Sequence, residues 1–174
     1  MCASARELDE AHKLLELLET TSSQSDPYEL VRMADKKLGM DFRFGAIRHL
    51  GEARRVEELV EHIVDPFVRC SFRCAFSYGL NLSAVYDEAY DQAERLFEDA
   101  REFRVDPALP YAHSMRATAL AGTGRHREAH EALDDATRES RRCNDEYGIQ
   151  SLYASRVRLL VQEGRANEAC AIEP

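Results

Sequence analysis

The chain lacks most of what marks the common chemistries. No apolar run approaches the roughly 20 residues needed to span a bilayer, so no membrane segment is predicted. Met1–Glu10 has neither a basic start nor an apolar stretch, so no secretory leader is expected and the cytoplasm is the default location. The five cysteines (Cys2, Cys70, Cys74, Cys143 and Cys170) are odd in number, and no two form a C-x-x-C pair. Neither a zinc site nor a disulfide framework is indicated, and reduced, mostly buried thiols are expected. Lysine is almost absent: Lys13, Lys36 and Lys37 are the only three, and none follows a glycine, which excludes a G-x-x-x-x-G-K phosphate loop. Neither G-x-S-x-G nor G-x-G-x-x-G occurs, and no pair of carboxylates is set apart for acid–base work. The expectation is a protein without catalytic residues, cofactor or metal, and not an enzyme.

What is present is the composition of a folded, acidic protein. Its 174 residues suit one compact domain or a short repeat array, and 44% hydrophobic against 32% charged residues is far from the disordered class. The 23 basic and 32 acidic residues give a net charge of −9, which opposes the concentrated positive field that reading a nucleic-acid backbone requires. Direct nucleic-acid contact is therefore not expected. Twenty of the 23 basic residues are Arg, a bias that, with abundant Ala, is common in proteins from high-GC bacterial genomes.

The strongest signal is an internal period. Leu80, Leu120 and Leu160 stand 40 residues apart, as do Glu88, Glu128 and Glu168, and Ala89, Ala129 and Ala169. The last two copies also share Arg116 with Arg156, Gly124 with Gly164 and Arg125 with Arg165. The unit reads as a helical hairpin. Pro110 suits a first helical turn, His113, Ala117 and Leu120 fall on one helical stripe, and Gly122-Thr-Gly124 stops the helix. A second helix follows with Ala129, Ala132, Leu133 and Ala136 inward. The copy from about 70 to 104 uses Phe72, Phe76 and Leu80, then Ala89, Ala93, Leu96 and Ala100, with the turn Asn81-Leu-Ser-Ala lacking glycine. Arg104–Pro110 is expected to interrupt the pattern, and Cys143–Gly148 to connect the last two hairpins.

Before residue 70 the pattern is weaker. Glu10–Leu18 resembles a second helix, Asp26-Pro27 reads as a helix start, 28–50 is helical with a break near Gly39, and Gly51–Val60 resembles a turn entering a second helix. Glu168–Pro174 stops barely two turns into a helix, which predicts a fragment of a longer array, or open ends that pair with another chain.

The segments Leu120…Gly124-Arg-His-Arg-Glu-Ala129…Leu133…Ala136, Asn144-Asp-Glu-Tyr-Gly148 and Leu160…Gly164-Arg-Ala-Asn-Glu-Ala169 resemble tetratricopeptide (TPR) repeats. They are most similar to the roughly 40-residue variety of MalT-like and LuxR-type bacterial regulators, and the resemblance covers 70–174. It implies an all-α fold, a right-handed superhelix of antiparallel helix hairpins (a TPR-like α-solenoid). The expected organisation is one domain over 1–174 with about four partly degenerate repeats, best defined at 70–104, 110–141 and 149–174.

The resemblance also implies a function. First helices line the concave side of such arrays, which makes Cys74, Tyr78, Asn81, Tyr111, Ser114, Thr118 and Arg158 the candidate partner-groove residues. Aromatics and Arg are favoured interface anchors. The expected role is the sensor or relay segment of a bacterial signal-transducing transcriptional regulator, which takes a protein, a peptide or a small-molecule effector and self-associates. The alternative is a general adaptor that binds a partner's peptide in the groove. His126 and His130, at i and i+4, match neither H-E-x-x-H nor H-x-x-E-H. They read as packing residues, as do Cys70 and Cys74. The arginines interleaved with Glu and Asp read as a solvated face.

Overall fold

The computed structural model describes residues 5–21, 25–45 and 47–172; Cys2, Ser22–Gln24 of the polar break, and Glu173-Pro174 lie outside the described residues. Among the described residues the chain is all-helical, without strands. The helices are α1 (Ala5–Thr21), α2 (Pro27–Phe44), α3 (Leu50–Val56), α4 (Pro66–Leu82), α5 (Tyr86–Glu102), α6 (Leu109–Gly122), α7 (His126–Arg142), α8 (Glu146–Gln162) and α9 (Ala166–Cys170). Two 3-10 turns, Glu57–His62 and Asp106–Ala108, precede α4 and α6.

From Pro66 onward a new helical segment starts every 20 residues, at 66, 86, 106, 126, 146 and 166. The reason lies in the turns. Ala84, Arg104, Gly124, Asn144 and Gly164 all take left-handed backbone, with φ of 57°, 57°, 77°, 54° and 74°. One residue later an amide reaches back to the carbonyl five positions earlier: Val85 to Leu80, Val105 to Ala100, Arg125 to Leu120, Asp145 to Ser140 and Arg165 to Leu160, at 2.8–3.0 Å. This is the helix stop of the Schellman type, which satisfies the last carbonyls and reverses the chain. It is made five times over. The 40-residue period is two such helix-plus-turn units.

Several sequence expectations are corrected by this. The turn at Asn81–Ala84 closes like the others, with Ala84 in the place that glycine takes at 124 and 164. Arg104–Pro110 does not interrupt the pattern, because Arg104 makes the same turn and Asp106–Ala108 winds directly into α6. Only Cys143-Asn144-Asp145 connects α7 to α8; Glu146–Gly148 is already the first turn of α8, with the Asp145 carboxylate accepting from the Gly148 amide at 2.8 Å. Helix α4 starts at Pro66, with the Asp65 carboxylate accepting from the Phe67 and Val68 amides. In the first third, α2 runs through Gly39 without a break and ends at left-handed Gly45. The helix expected over 51–60 is α3 followed by a 3-10 turn.

The recurring columns form the core. Leu80, Leu120 and Leu160 are 0%, 3% and 5% exposed, and Ala89, Ala129 and Ala169 are buried with them. Alanine at that second column lets the two helices of a hairpin approach closely. Each helix from α4 to α8 packs on its chain neighbour, and α4 also meets α6 and α6 meets α8. Helix α2 lies on the other flank of α4, where Val31 and Leu38 join Phe72, Phe76 and Leu80 in one cluster.

Candidate functional site

Helices α4, α6 and α8, together with Tyr86 of α5 and Leu133 of α7, enclose a groove of about 270 Å³. Five of the seven sequence candidates line it: Tyr78 and Asn81 from α4, Ser114 and Thr118 from α6, and Arg158 from α8. Cys74 and Tyr111 are not among its lining residues. Cys74 packs against the cluster of Cys70, Leu96, Ala100 and Ala112, while the Tyr111 phenol is drawn toward Asp145 at the turn into α8. Burial first, and then the Asp145 carboxylate, raises the Tyr111 pKa. Burial pushes the Cys70 thiol up to about 11 and the Cys74 thiol to about 12. Both are therefore protonated and unreactive at neutral pH.

The aromatic side chains of the groove wall are packed against neighbouring helices. Tyr78 is held edge-on by Phe42 of α2, with ring centroids 4.3 Å apart. The Tyr86 ring lies against Gly122, so close that a methyl group there would clash with its ring carbons. This explains the glycine at 122: it is helical, not the turn residue, and its missing side chain makes room for the tyrosine. Tyr86, Met115, Ser155 and Gln162 also line the groove, and none of them is among the sequence candidates. A 40-residue spacing from Met115 to Ser155 is the signal that pointed there.

The polar groups of the groove divide into satisfied and unsatisfied. Thr118 and Ser155 donate their hydroxyls to the carbonyls one turn back, Ser114 at 3.0 Å and Ser151 at 3.1 Å. Asn81 is buried, 7% exposed, and donates its amide to the Met115 carbonyl at 3.2 Å. That bond fixes the amide's orientation, leaving its Oδ1 buried without a donor among the described residues. Arg158 is exposed and pairs with no carboxylate among the described residues, whereas Arg156, two residues earlier, is tied to Asp134 at 2.6 Å. None of the described residues lining the groove is Asp or Glu.

A second polar cluster, unforeseen in the sequence, lies on the opposite flank of α4. Arg73, only 1% exposed, donates to Asp99 at 2.5 Å, Glu61 at 2.6 Å and Gln92 at 3.3 Å. Arg69 adds bonds to Asp99 at 2.7 Å, to Glu61, and to the Val60 and Glu61 carbonyls. Burial opposes ionisation of Glu61, yet Arg73 and then Arg69 outweigh it and hold its carboxyl below the ordinary range. With both guanidinium groups engaged and Asp99 buried at 5% exposure, the cluster is a structural tie between the 3-10 turn at 57–62, α4 and α5. His130 is likewise engaged, 3.0 Å from Glu163. Among the described residues no three His, Cys, Asp or Glu side chains converge as metal ligands would.

A wider depression of about 500 Å³ lies between the start of α2 and the Ile63–Asp65 link. Its carboxylates, Asp26 and Asp65, are occupied as helix caps. The groove across α4, α6 and α8 is therefore the candidate site. No family model, curated protein or solved structure matches the chain, so the functional reading rests on the site itself.

Proposed function

We propose that this protein is a non-catalytic binding module that receives a segment of a partner protein in the groove across α4, α6 and α8. In this reading the hairpins stack as a TPR-like right-handed superhelix over 1–174, in partly degenerate repeats, and the groove is its concave face. The carrying observation is that three alternate helices present one continuous groove with anchored aromatics and unused hydrogen-bonding capacity. Its volume of about 270 Å³ falls just below the roughly 300–1,000 Å³ of sites that engulf whole small ligands. Its floor instead suits a few side chains of a longer chain. Packed helices lie about 8–10 Å apart, so three in a row offer about 16–20 Å, the length of five or six extended residues.

The narrower role, a sensor or relay segment of a bacterial transcriptional regulator in the cytoplasm, is supported by the resemblance to MalT-like and LuxR-type repeats. It adds the requirement that occupancy of the groove alter self-association. The test places a photo-crosslinking amino acid at Thr118 in the groove or at Glu131 on the exposed side of α7. Any captured protein is then purified and its affinity measured against wild type and Tyr78→Ala/Arg158→Ala. Capture through Thr118, and an affinity lost in the double variant, are expected. Equal capture from Glu131, with an unchanged affinity, would remove the groove from the account.

A further inference from the structure

The charge of the groove names the class of its occupant. The chain carries 32 acidic residues among 174 and a net charge of −9, yet none of the described residues lining the groove is Asp or Glu, and the single charge there is Arg158. Most arginines around the repeats are neutralised by neighbours: Arg125 by Glu128, Arg127 by Glu131, Arg138 by Asp135 and Arg165 by Glu168. On α8 itself Arg156 is bound to Asp134, while Arg158 has no carboxylate partner among the described residues. In an acidic protein a cation left unpaired on a carboxylate-free wall is a complement for an anion. Asn81 adds to this: it is 7% exposed, and its Oδ1 has no donor among the described residues. A buried acceptor without a donor is costly, and a peptide N–H is the kind of donor that would relieve it.

We infer that the groove selects an extended peptide carrying an acidic side chain, its carboxylate on Arg158 and its backbone amide directed to Asn81. This rests on the binding-module reading above. Arginine's planar fork takes a carboxylate in two parallel hydrogen bonds, which a neutral amide side chain cannot match. Tyr78 and Met115 then cover the apolar neighbours of the acidic residue. A basic peptide is disfavoured twice over: it meets Arg158 directly and leaves its own charge without a partner.

The test uses the whole chain and three pools of fluorescent hexapeptides, randomised except for a fixed Glu, Gln or Lys, with binding read by fluorescence polarisation. The Glu pool is expected to bind about three- to tenfold more tightly than the Gln pool, with the preference weakening as salt is raised. Arg158→Gln should erase the preference, and Arg158→Glu should transfer it to the Lys pool. Arg158 is exposed, so neither change threatens the fold, and circular dichroism checks this directly. Asn81→Leu, which keeps the volume but removes both the acceptor and the donor to the Met115 carbonyl, should weaken the Glu and Gln pools by a similar factor, with circular dichroism again checking the fold. Equal binding of the Glu and Gln pools to wild type, or a Glu preference that survives Arg158→Glu, overturns the acidic-peptide inference and leaves the binding module standing. Binding of none of the three pools overturns both.

Discussion

The chain before Pro66 and the chain after it solve the same packing problem differently. After Pro66, one turn recurs at 84, 104, 124, 144 and 164, one leucine column and one alanine column recur with it, and ion pairs run both within a helix turn, as Arg125–Glu128 and Arg165–Glu168, and between helices, as Arg116–Glu94 and Arg156–Asp134. Before Pro66, helix lengths vary, a 3-10 turn replaces most of a helix, and buried carboxylates hold the chain. Asp41, 3% exposed, accepts from the Arg48 and His49 amides and faces the His49 ring; Asp35, 7% exposed, accepts from Ser71. Where backbone geometry repeats, the apolar columns repeat with it. Where it does not, specific polar ties are needed at the junction. The junction is the Arg69–Arg73–Asp99–Glu61 cluster, and the groove starts just beyond it.

The sharpest way to break this contrast is to remove the centre of the junction. Asp99→Ala leaves two largely buried guanidinium groups without their main counter-charge, and losing one partner of a buried pair costs about 3–5 kcal/mol. Asp134→Ala removes an exposed pair with Arg156 and should cost less than about 1 kcal/mol. Urea unfolding of both variants measures the difference. Similar losses would mean that the cluster is not the tie described here.

Gly122→Ala comes next. Its methyl group overlaps the Tyr86 ring, and overpacking of this kind costs about 1–3 kcal/mol. Tyr86→Ala in the same chain should recover much of that loss, because the clash is with that ring. A double-mutant cycle showing simple additivity would refute the contact.

These contrasts also show which parts were legible in the sequence. The columns at 80, 120 and 160 and at 89, 129 and 169 repeat as letters because they repeat as environments, so helix hairpins could be read from them. The turns at Ala84 and Arg104 could not, since left-handed backbone is disfavoured for residues with a side chain and nothing local announces it. Tertiary packing imposes the shape there. Arg73 was hidden for a related reason: it occupies the column of His113 and Tyr153, where an arginine reads as surface. Its partners Glu61 and Asp99 lie 12 and 26 residues away, beyond any local pattern. In the groove, helical spacing found Tyr78, Asn81, Ser114, Thr118 and Arg158. Cys74 lies on the same helix but is rotated into the α5–α6 cluster, a distinction that spacing alone does not make.

The five turns can be played against one another. Gly124→Ala and Gly164→Ala put a side chain into left-handed backbone and should each cost about 1 kcal/mol. Ala84→Gly and Arg104→Gly relieve the same strain, and the gain of about 1–2 kcal/mol is offset by about 0.5–1 kcal/mol of extra unfolded-chain entropy. The net expectation is a small stabilisation, read as a higher urea midpoint with an unchanged slope. If Ala84→Gly destabilises as much as Gly124→Ala does, the turns are not equivalent and the 20-residue unit is only apparent.

The smallest effect is a dependence on pH at the α5–α6 packing. His113 is 8% exposed, lies edge-on to Phe97 with centroids 5.1 Å apart, and has a buried Nδ1 without a partner among the described residues. Burial first, and then the charge of Arg116, lowers its pKa, although Asp135, Glu139 and Glu94 pull the other way. The folded protein therefore resists the proton that the unfolded chain accepts near the ordinary value of about 6.5. Stability from this group is complete above that pH and declines as pH falls below it, by at most about 1.4 kcal/mol per pH unit, until the folded-state pKa is passed. The comparison is the urea midpoint from pH 8 to pH 5 for wild type against His113→Phe, which keeps the ring and removes the titration. A steeper acid loss in the wild type is expected. Parallel curves would show that His113 takes its proton as readily in the folded protein as in the unfolded chain.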